Sequence, residues 1–258
     1  MDRGSRAHQH AGMDAWQALA VGAVFVAAGA VKGITGMGLP TVAVSLLGLW
    51  MTPAEAAALL VVPALATNVA QCRGTHLDEL AKTLWPAWLA LAVVTVLLPV
   101  PASAGAVSGD AHRLLGAVLV LYGLWGLWRP RLPLVSRRSR WAGLAAGGVT
   151  GAVTAATAVF VVPLVPYLQA LRLDKDAMVQ ALGLSFTVAT LALALALRLQ
   201  VSGSHALLTP GTALALGAAI AGLRLGERVR LRIGAATFQR ALFVVFVALG
   251  FANLAHGW

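Results

Sequence analysis

Apolar positions fall in long unbroken blocks along this chain. They show neither the alternation of a half-buried strand nor the single stripe of a surface helix. Stretches such as "LALAVVTVLL" and "LGAVLVLYGLWGLW" are apolar on every face, so neither a period of 2 nor one of 3.6 describes them. Blocks occur near residues 15–31, 38–50, 55–71, 83–100, 113–128, 141–156, 159–171, 177–197, 205–222 and 241–255. The longer ones have the roughly 17 to 25 residues that cross about 30 Å of hydrocarbon as a helix. A membrane barrel requires alternating segments of about ten residues, which are lacking. The pattern predicts an all-α, polytopic membrane protein.

Residues 15–50 make too long a block for one crossing. As a single helix they would extend about 54 Å. The stretch "GITGMGLP" (33–40) divides the block, because glycines weaken a helix and Pro40 removes a donor. A second break is visible by internal comparison. "GAVKGITGMGLPTVAVSLL" (29–47) lies over "GGVTGAVTAATAVFVVPLV" (147–165), pairing Gly33 with Gly151 and Gly36 with Thr154. "PAEAAALLV" over "DKDAMVQAL", which sets Glu55 against Asp176, and "HRLLGAVLVLYG" over "QRALFVVFVALG" continue the match. The chain therefore divides into a polar tail (1–14), a first repeat (15–128, hairpin 15–50 plus three helices), a basic linker (129–140) and a second repeat (141–258, hairpin 141–171 plus three helices).

Charge sharpens this picture. Of the 258 residues, 59% are hydrophobic and 11% charged, and the mean hydropathy is +0.83. The formal charge of +10, from 19 Lys and Arg against 9 Asp and Glu, would suggest nucleic acid in a soluble protein. In a membrane protein it reflects Lys and Arg collecting in cytoplasmic loops, and no nucleic-acid partner is expected. If both broken elements return to their own side, one side collects 14 of these cations against four. If both cross, the split is ten against eight. The bias favours hairpins. Three full crossings per half then make the repeats inverted, as in many secondary transporters, with basic loops in the cytoplasm, both termini outside and the cell membrane as location. The segment "RLGERVRLRIGAATFQR" (224–240) reads as a surface stretch against anionic lipid. Cys72, the one cysteine, cannot form an internal disulfide and reads as a buried filler.

The break motifs "VKG" and "VTG", the stretches "VAVSLL" and "VFVVPLV" behind them, and the later "LGLSFTVATLALALAL" resemble the sulfite exporter TauE/SafE family of membrane permeases over nearly the whole chain. The chain departs from the family pattern at Ser45, where a proline is usual, and in the Thr- and Ala-rich second tip. The resemblance implies a permease for a small anion such as sulfite or an organosulfonate of the sulfoacetate kind, exported or taken up.

The tips also carry chemistry of their own. Lys32 lies 16 residues from Trp16, about 24 Å deep if the arm is helical, and a lysine at the bilayer centre costs about 2.5 to 3.5 kcal/mol unless compensated. An anion is one compensation; a bond to backbone carbonyls or escape to the interface is another. Each break is expected to expose N–H groups of a returning half-helix, near residues 35–39 and 154–158, which favours a negative ligand. The substrate-binding candidates are Lys32, Gly33, Thr35, Gly36 and Gly38 at the first break and Thr150, Gly151, Thr154 and Thr157 at the second, with Asn68 and Ser185 behind them. Each hydroxyl can equally bond its own helix, and Gly147 reads as helix packing.

No carboxylate falls in a membrane interior, so flux is expected to follow the anion gradient and the voltage, not a proton. The six histidines are dispersed, and no HExxH or GxSxG spacing occurs. No catalytic group, metal or cofactor is expected. A passive channel remains the alternative to a carrier, and homo-oligomerisation is left open.

Overall fold

The structure is a computed structural model, and it describes residues 14–100, 108–128, 133–137, 139–200, 209–230 and 235–256. Ten helices follow one another among them, with no strand: α1 (Ala15–Thr35), α2 (Leu39–Leu47), α3 (Pro53–Gln71), α4 (Leu77–Leu97), α5 (Ser108–Trp128), α6 (Arg140–Thr157), α7 (Leu164–Ala170), α8 (Lys175–Gln200), α9 (Pro210–Arg230) and α10 (Ala235–His256). Five of them, α1, α3, α4, α8 and α10, are long and apolar enough to cross a membrane. This is a multi-pass membrane protein. Its outer surface carries exposed Leu89, Val93, Leu121, Leu124, Leu191, Leu195, Val244 and Phe251, a composition that suits contact with acyl chains. Residues 224–230, read from sequence as a surface stretch, continue α9; 231–234 lie outside the described residues.

Contacts set the helix directions. Lys32 meets Thr67 and Asn68, and Gly36 meets Gln71, so α1 and α3 run the same way. Asn68 meets Thr190 and Cys72 meets Thr187, so α3 and α8 run opposite ways. Trp88 meets Ser185 while Val96 meets Gln200, making α4 and α8 parallel. Gly147 abuts Ala87 and Gly151 abuts Leu91, making α4 and α6 parallel too. It follows that α1 and α6 point in opposite directions. Because α3 starts again on the side where α1 started, α2 brings the chain back. In the second half, α7 returns along α6: the Val135 N–H donates to the Ala170 carbonyl at 3.1 Å, and the Tyr167 hydroxyl lies 3.3 Å from where a Cβ on Gly143 would stand.

Small residues let these helices approach closely. A Cβ on Gly29 would sit 2.2 Å from the Ala219 carbonyl oxygen, and one on Gly226 would sit 2.1 Å from that of Ala30, so α1 and α9 touch backbone to backbone. The α4–α6 crossing repeats the device, since a Cβ on Gly147 would stand 2.0 Å from the Ala87 oxygen. The sequence reading of Gly147 as a packing residue agrees with this contact.

Two caps start α3 and α8. Thr52 and Glu55 form a reciprocal capping box. At α8 the cap is Asp174, whose carboxylate accepts from the N–H groups of Ala177 at 2.8 Å and Asp176 at 3.1 Å. The sequence comparison set Glu55 against Asp176, but by capping position Thr52 corresponds to Asp174. The Ala177 N–H, first among several backbone donors, holds the Asp174 carboxyl below the usual carboxylate range. A value lower in the folded than in the unfolded state adds stability above the ordinary carboxylate range, and that stability is lost as pH falls through the lowered value. Asp174→Ala is therefore expected to lower the melting temperature at neutral pH, and the gap from wild type should close below about pH 4, as read by thermal scans in detergent against pH.

Candidate functional site

The polar centre of the fold lies where α1 meets α3. Lys32 is 2% exposed. Its ammonium donates to Thr67 Oγ1 at 3.1 Å and makes a short bond to Asn68 Oδ1. Each partner is oriented by a further bond. Thr67 passes its own proton to the carbonyls of Pro63 at 2.8 Å and Ala64 at 3.1 Å, turning its lone pairs toward Lys32. Asn68 directs its amide nitrogen at Thr190 Oγ1, 3.4 Å away on α8, and Thr190 in turn donates to the Phe186 carbonyl at 2.6 Å. Every acceptor on Lys32 is neutral. No carboxylate pairs with it among the described residues, and an ammonium has three protons to give.

The break beside this cluster is built by glycine. α1 ends at Thr35, after which Gly36 takes φ 81° and Gly38 φ 96°, both in the region that L side chains rarely enter. Thr35 Oγ1 donates to the Val31 and Met37 carbonyls and receives the Met37 N–H. Gln71 clamps the turn by donating to the Gly36 carbonyl at 2.7 Å. The second break copies the first. α6 ends at Thr157, Ala158 takes φ 56°, and Thr157 Oγ1 donates to the Val153 carbonyl while receiving the Val159 N–H. By this geometry Gly36 corresponds to Ala158, one helical turn beyond the Thr154 chosen by sequence, and Lys32 corresponds to Thr154.

Several sequence candidates thus have definite local duties. Thr150, Thr154 and Thr157 are fully buried, and each gives its proton to a backbone carbonyl one turn earlier. Gly33 faces α9, where a Cβ would stand 2.3 Å from the Leu223 oxygen, and Gly151 faces α4, with its own carbonyl receiving the Thr95 hydroxyl at 3.2 Å. Ser185 accepts from the Trp88 indole at 2.9 Å. Of the N–H groups near 35–39 and 154–158, expected to begin returning helices, those of Thr35 and of residues 154–157 lie in the last turns of α1 and α6. Gly36 N donates to the Lys32 carbonyl and Ala158 N to the Thr154 carbonyl. At the first break the returning helix α2 starts at Leu39, the last residue of the expected range, and at the second α7 starts beyond it, at Leu164.

No hydrogen bond among the described residues joins the two breaks directly. The α3–α8 pair bridges them: Lys32 reaches Asn68, Asn68 reaches Thr190, and Phe186 one turn from Thr190 packs at a tilt against Phe160 of the second break with ring centres 5.2 Å apart. Sequence reasoning underrated Thr67, Gln71 and Thr190. The available signal was positional, since Asn68 and Thr190 each lie sixteen residues beyond their caps, Thr52 and Asp174. Cys72 is only half-buried and is no core filler; its thiol lies 3.5 Å from both the Asn68 carbonyl and Thr187 Oγ1.

A bundle of apolar helices, interrupted at two breaks and with a lysine buried among neutral partners, defines a multi-pass membrane protein. The chain belongs to the sulfite exporter TauE/SafE family, whose model matches residues 21–253. That makes it a membrane transporter of the anion-exporter type. No curated protein and no solved structure matches the chain.

Proposed function

We propose that this protein is a secondary transporter that exports a small sulfur oxyanion, sulfite or an organosulfonate of the sulfoacetate kind, bound at Lys32 near the membrane centre. The observation that carries this reading is the buried ammonium without a carboxylate. A charge in that position costs about 2.5 to 3.5 kcal/mol, and an oxyanion would offset the cost while accepting its remaining proton. Thr67 and Asn68 hold the ammonium in place, and Gly36, Gly38 and Thr35 shape the wall beside it. Thr154 and Thr157 stand at the equivalent level of the second break, where a rearrangement of α6 and α7 would be needed to turn their hydroxyls toward a ligand.

The two halves are read as inverted repeats, residues 15–128 and 141–258, with α1–α2 and α6–α7 as hairpins from opposite faces. The opposed directions of α1 and α6 and the matching hydrogen bonds at Thr35 and Thr157 support this reading. So does the pairing of helices, in which α1 packs on α9 as α6 packs on α4. The side where α4, α6 and α8 begin carries Arg73, Lys82, Arg137, Arg140, Arg172 and Lys175, which supports reading it as the cytoplasmic side of a plasma membrane.

Proteoliposomes loaded with radiolabelled sulfite or sulfoacetate test the function. A carrier gives saturable efflux, accelerated by unlabelled anion on the far side and by an interior-negative voltage. Flux that never saturates would indicate a channel, and no flux of either anion would remove the substrate assignment.

A further inference from the structure

The other buried threonines among the described residues give their hydroxyl proton to a backbone carbonyl, as Thr67, Thr150, Thr154 and Thr190 do. Thr41 does not. It is fully buried, and its Oγ1 has no hydrogen-bond partner. The carbonyl one turn back, where a helical hydroxyl normally turns, belongs to Met37, and Thr35 Oγ1 already donates to it at 2.7 Å. A buried hydroxyl without a partner is destabilising, so this one calls for a ligand.

Thr41 is the third residue of α2, and α2 begins without a cap. Gly38 before it has no side chain to offer, and Pro40 has no N–H. The Leu39 and Thr41 N–H groups have no acceptor among the described residues; Val42 N is the first to find one, the Gly38 carbonyl at 2.9 Å. Side chains on a helix lean toward its N-terminus, which brings the Thr41 hydroxyl over the same turn. One buried turn thus carries two free N–H groups, a free hydroxyl and the positive end of a helix dipole. Asn253 of α10 fixes the rotation of α2 by donating to the Ser45 carbonyl at 3.3 Å.

Lys32 flanks the same break from the other side. It lies one turn before Gly36, and Thr41 lies three residues after Gly38, so each is within about 5.4 Å of the break along its own helix. Thr35, Gly36 and Met37 between them are only half-buried, which leaves the turn open on that side.

We propose that the first turn of α2 is the other half of the anion site: Lys32 supplies the charge, and the Leu39 N–H, the Thr41 N–H and the Thr41 hydroxyl take the oxygens. This rests on Lys32 as the substrate cation. The donor set also selects the head group. The three oxygens of a sulfite or sulfonate spread over these donors and the spare ammonium proton, whereas a flat carboxylate, with two oxygens in one plane, reaches fewer of them.

Isothermal titration of sulfite, ethanesulfonate and propionate into the purified full chain, with a thermal scan of each variant without ligand, tests this. Thr41→Val keeps the shape and removes the hydroxyl. It should weaken sulfite and ethanesulfonate at least about tenfold, as expected for a lost hydrogen bond to a charged group, and propionate less. Its melting temperature should equal or exceed that of wild type, because no bond within the protein is broken, and Thr41→Ser should bind as wild type does. If Thr41→Val fails to fold, hydrogen exchange on wild type decides, and sulfite must slow exchange at residues 39–41. A lower melting temperature with unchanged sulfite affinity in Thr41→Val, while Lys32→Met is impaired, would overturn the proposal and leave Lys32 as the site. Impaired binding in Thr41→Val with Lys32→Met equal to wild type would instead remove Lys32 and its pairing with the α2 turn. Equal losses for ethanesulfonate and propionate would overturn the head-group assignment.

Discussion

Replacing Lys32 with methionine is expected to abolish sulfite flux while leaving the protein as stable as wild type or slightly more so. Two opposing terms decide the stability. Removing the ammonium orphans Asn68 Oδ1, which costs about 1 to 3 kcal/mol, and also removes a buried charge that costs about 2.5 to 3.5 kcal/mol. The two nearly cancel. Transport has no such compensation. Thr67 and Asn68 are neutral, so a bound oxyanion would lose its one charged partner and at least about 2 to 3 kcal/mol of attraction, roughly a hundredfold in affinity. Isothermal titration with sulfite and a thermal scan on the same preparation separate the outcomes. A melting temperature that drops while affinity stays constant would make Lys32 a structural residue, a clamp between α1 and α3, and would leave the substrate site unassigned. Lys32→Arg keeps the charge but brings a planar fork into a space fitted to a compact ammonium, so partial affinity is expected.

Gly33→Ala is expected to damage the fold itself. The added methyl would stand 2.3 Å from the Leu223 oxygen and 2.8 Å from the Glu227 nitrogen, both backbone atoms of α9 that no rotamer change can move aside. The crossing is locked from the other side as well, because a Cβ on Gly222 or Gly226 would stand 2.1 Å from the Val26 or Ala30 oxygen. α1 and α9 must then separate, at a cost near the upper end of the about 1 to 3 kcal/mol typical of overpacking. The expected result is loss of monodisperse protein on size exclusion, or a large fall in melting temperature. Gly148→Ala is the control, since nothing lies within 4 Å of its Cβ position, and it should behave as wild type. If Gly33→Ala were instead stable and bound anion poorly, Gly33 would belong to the site and not to the helix crossing.

The contrast between these two residues shows what a sequence can convey about such a site. Lys32 was legible because a charge inside an apolar block is expensive wherever it points, so its presence alone raises the question of a partner. Gly33 was equally conspicuous and carries a different duty. A glycine next to a break looks the same whether it yields φ, admits a ligand or admits a helix, and only the position of α9 distinguishes these. The threonines present the same ambiguity, because a hydroxyl in a helix can always reach the carbonyl one turn back. Thr150, Thr154 and Thr157 all do so.

The sequence by itself determined the membrane class, the number and rough extents of the apolar helices, the two breaks and the family. All of these follow from local composition and spacing along one chain, which hydrocarbon thickness and backbone hydrogen bonding constrain directly. Only the tertiary structure decided that Lys32 faces Thr67 and Asn68, that α3 and α8 lie between the two breaks, and that the left-handed residue at the second break is Ala158. Those facts depend on the rotation and depth of one helix against another. Small-residue contacts between backbones set that rotation and depth, and similar glycines at many spacings along the chain could have supplied them.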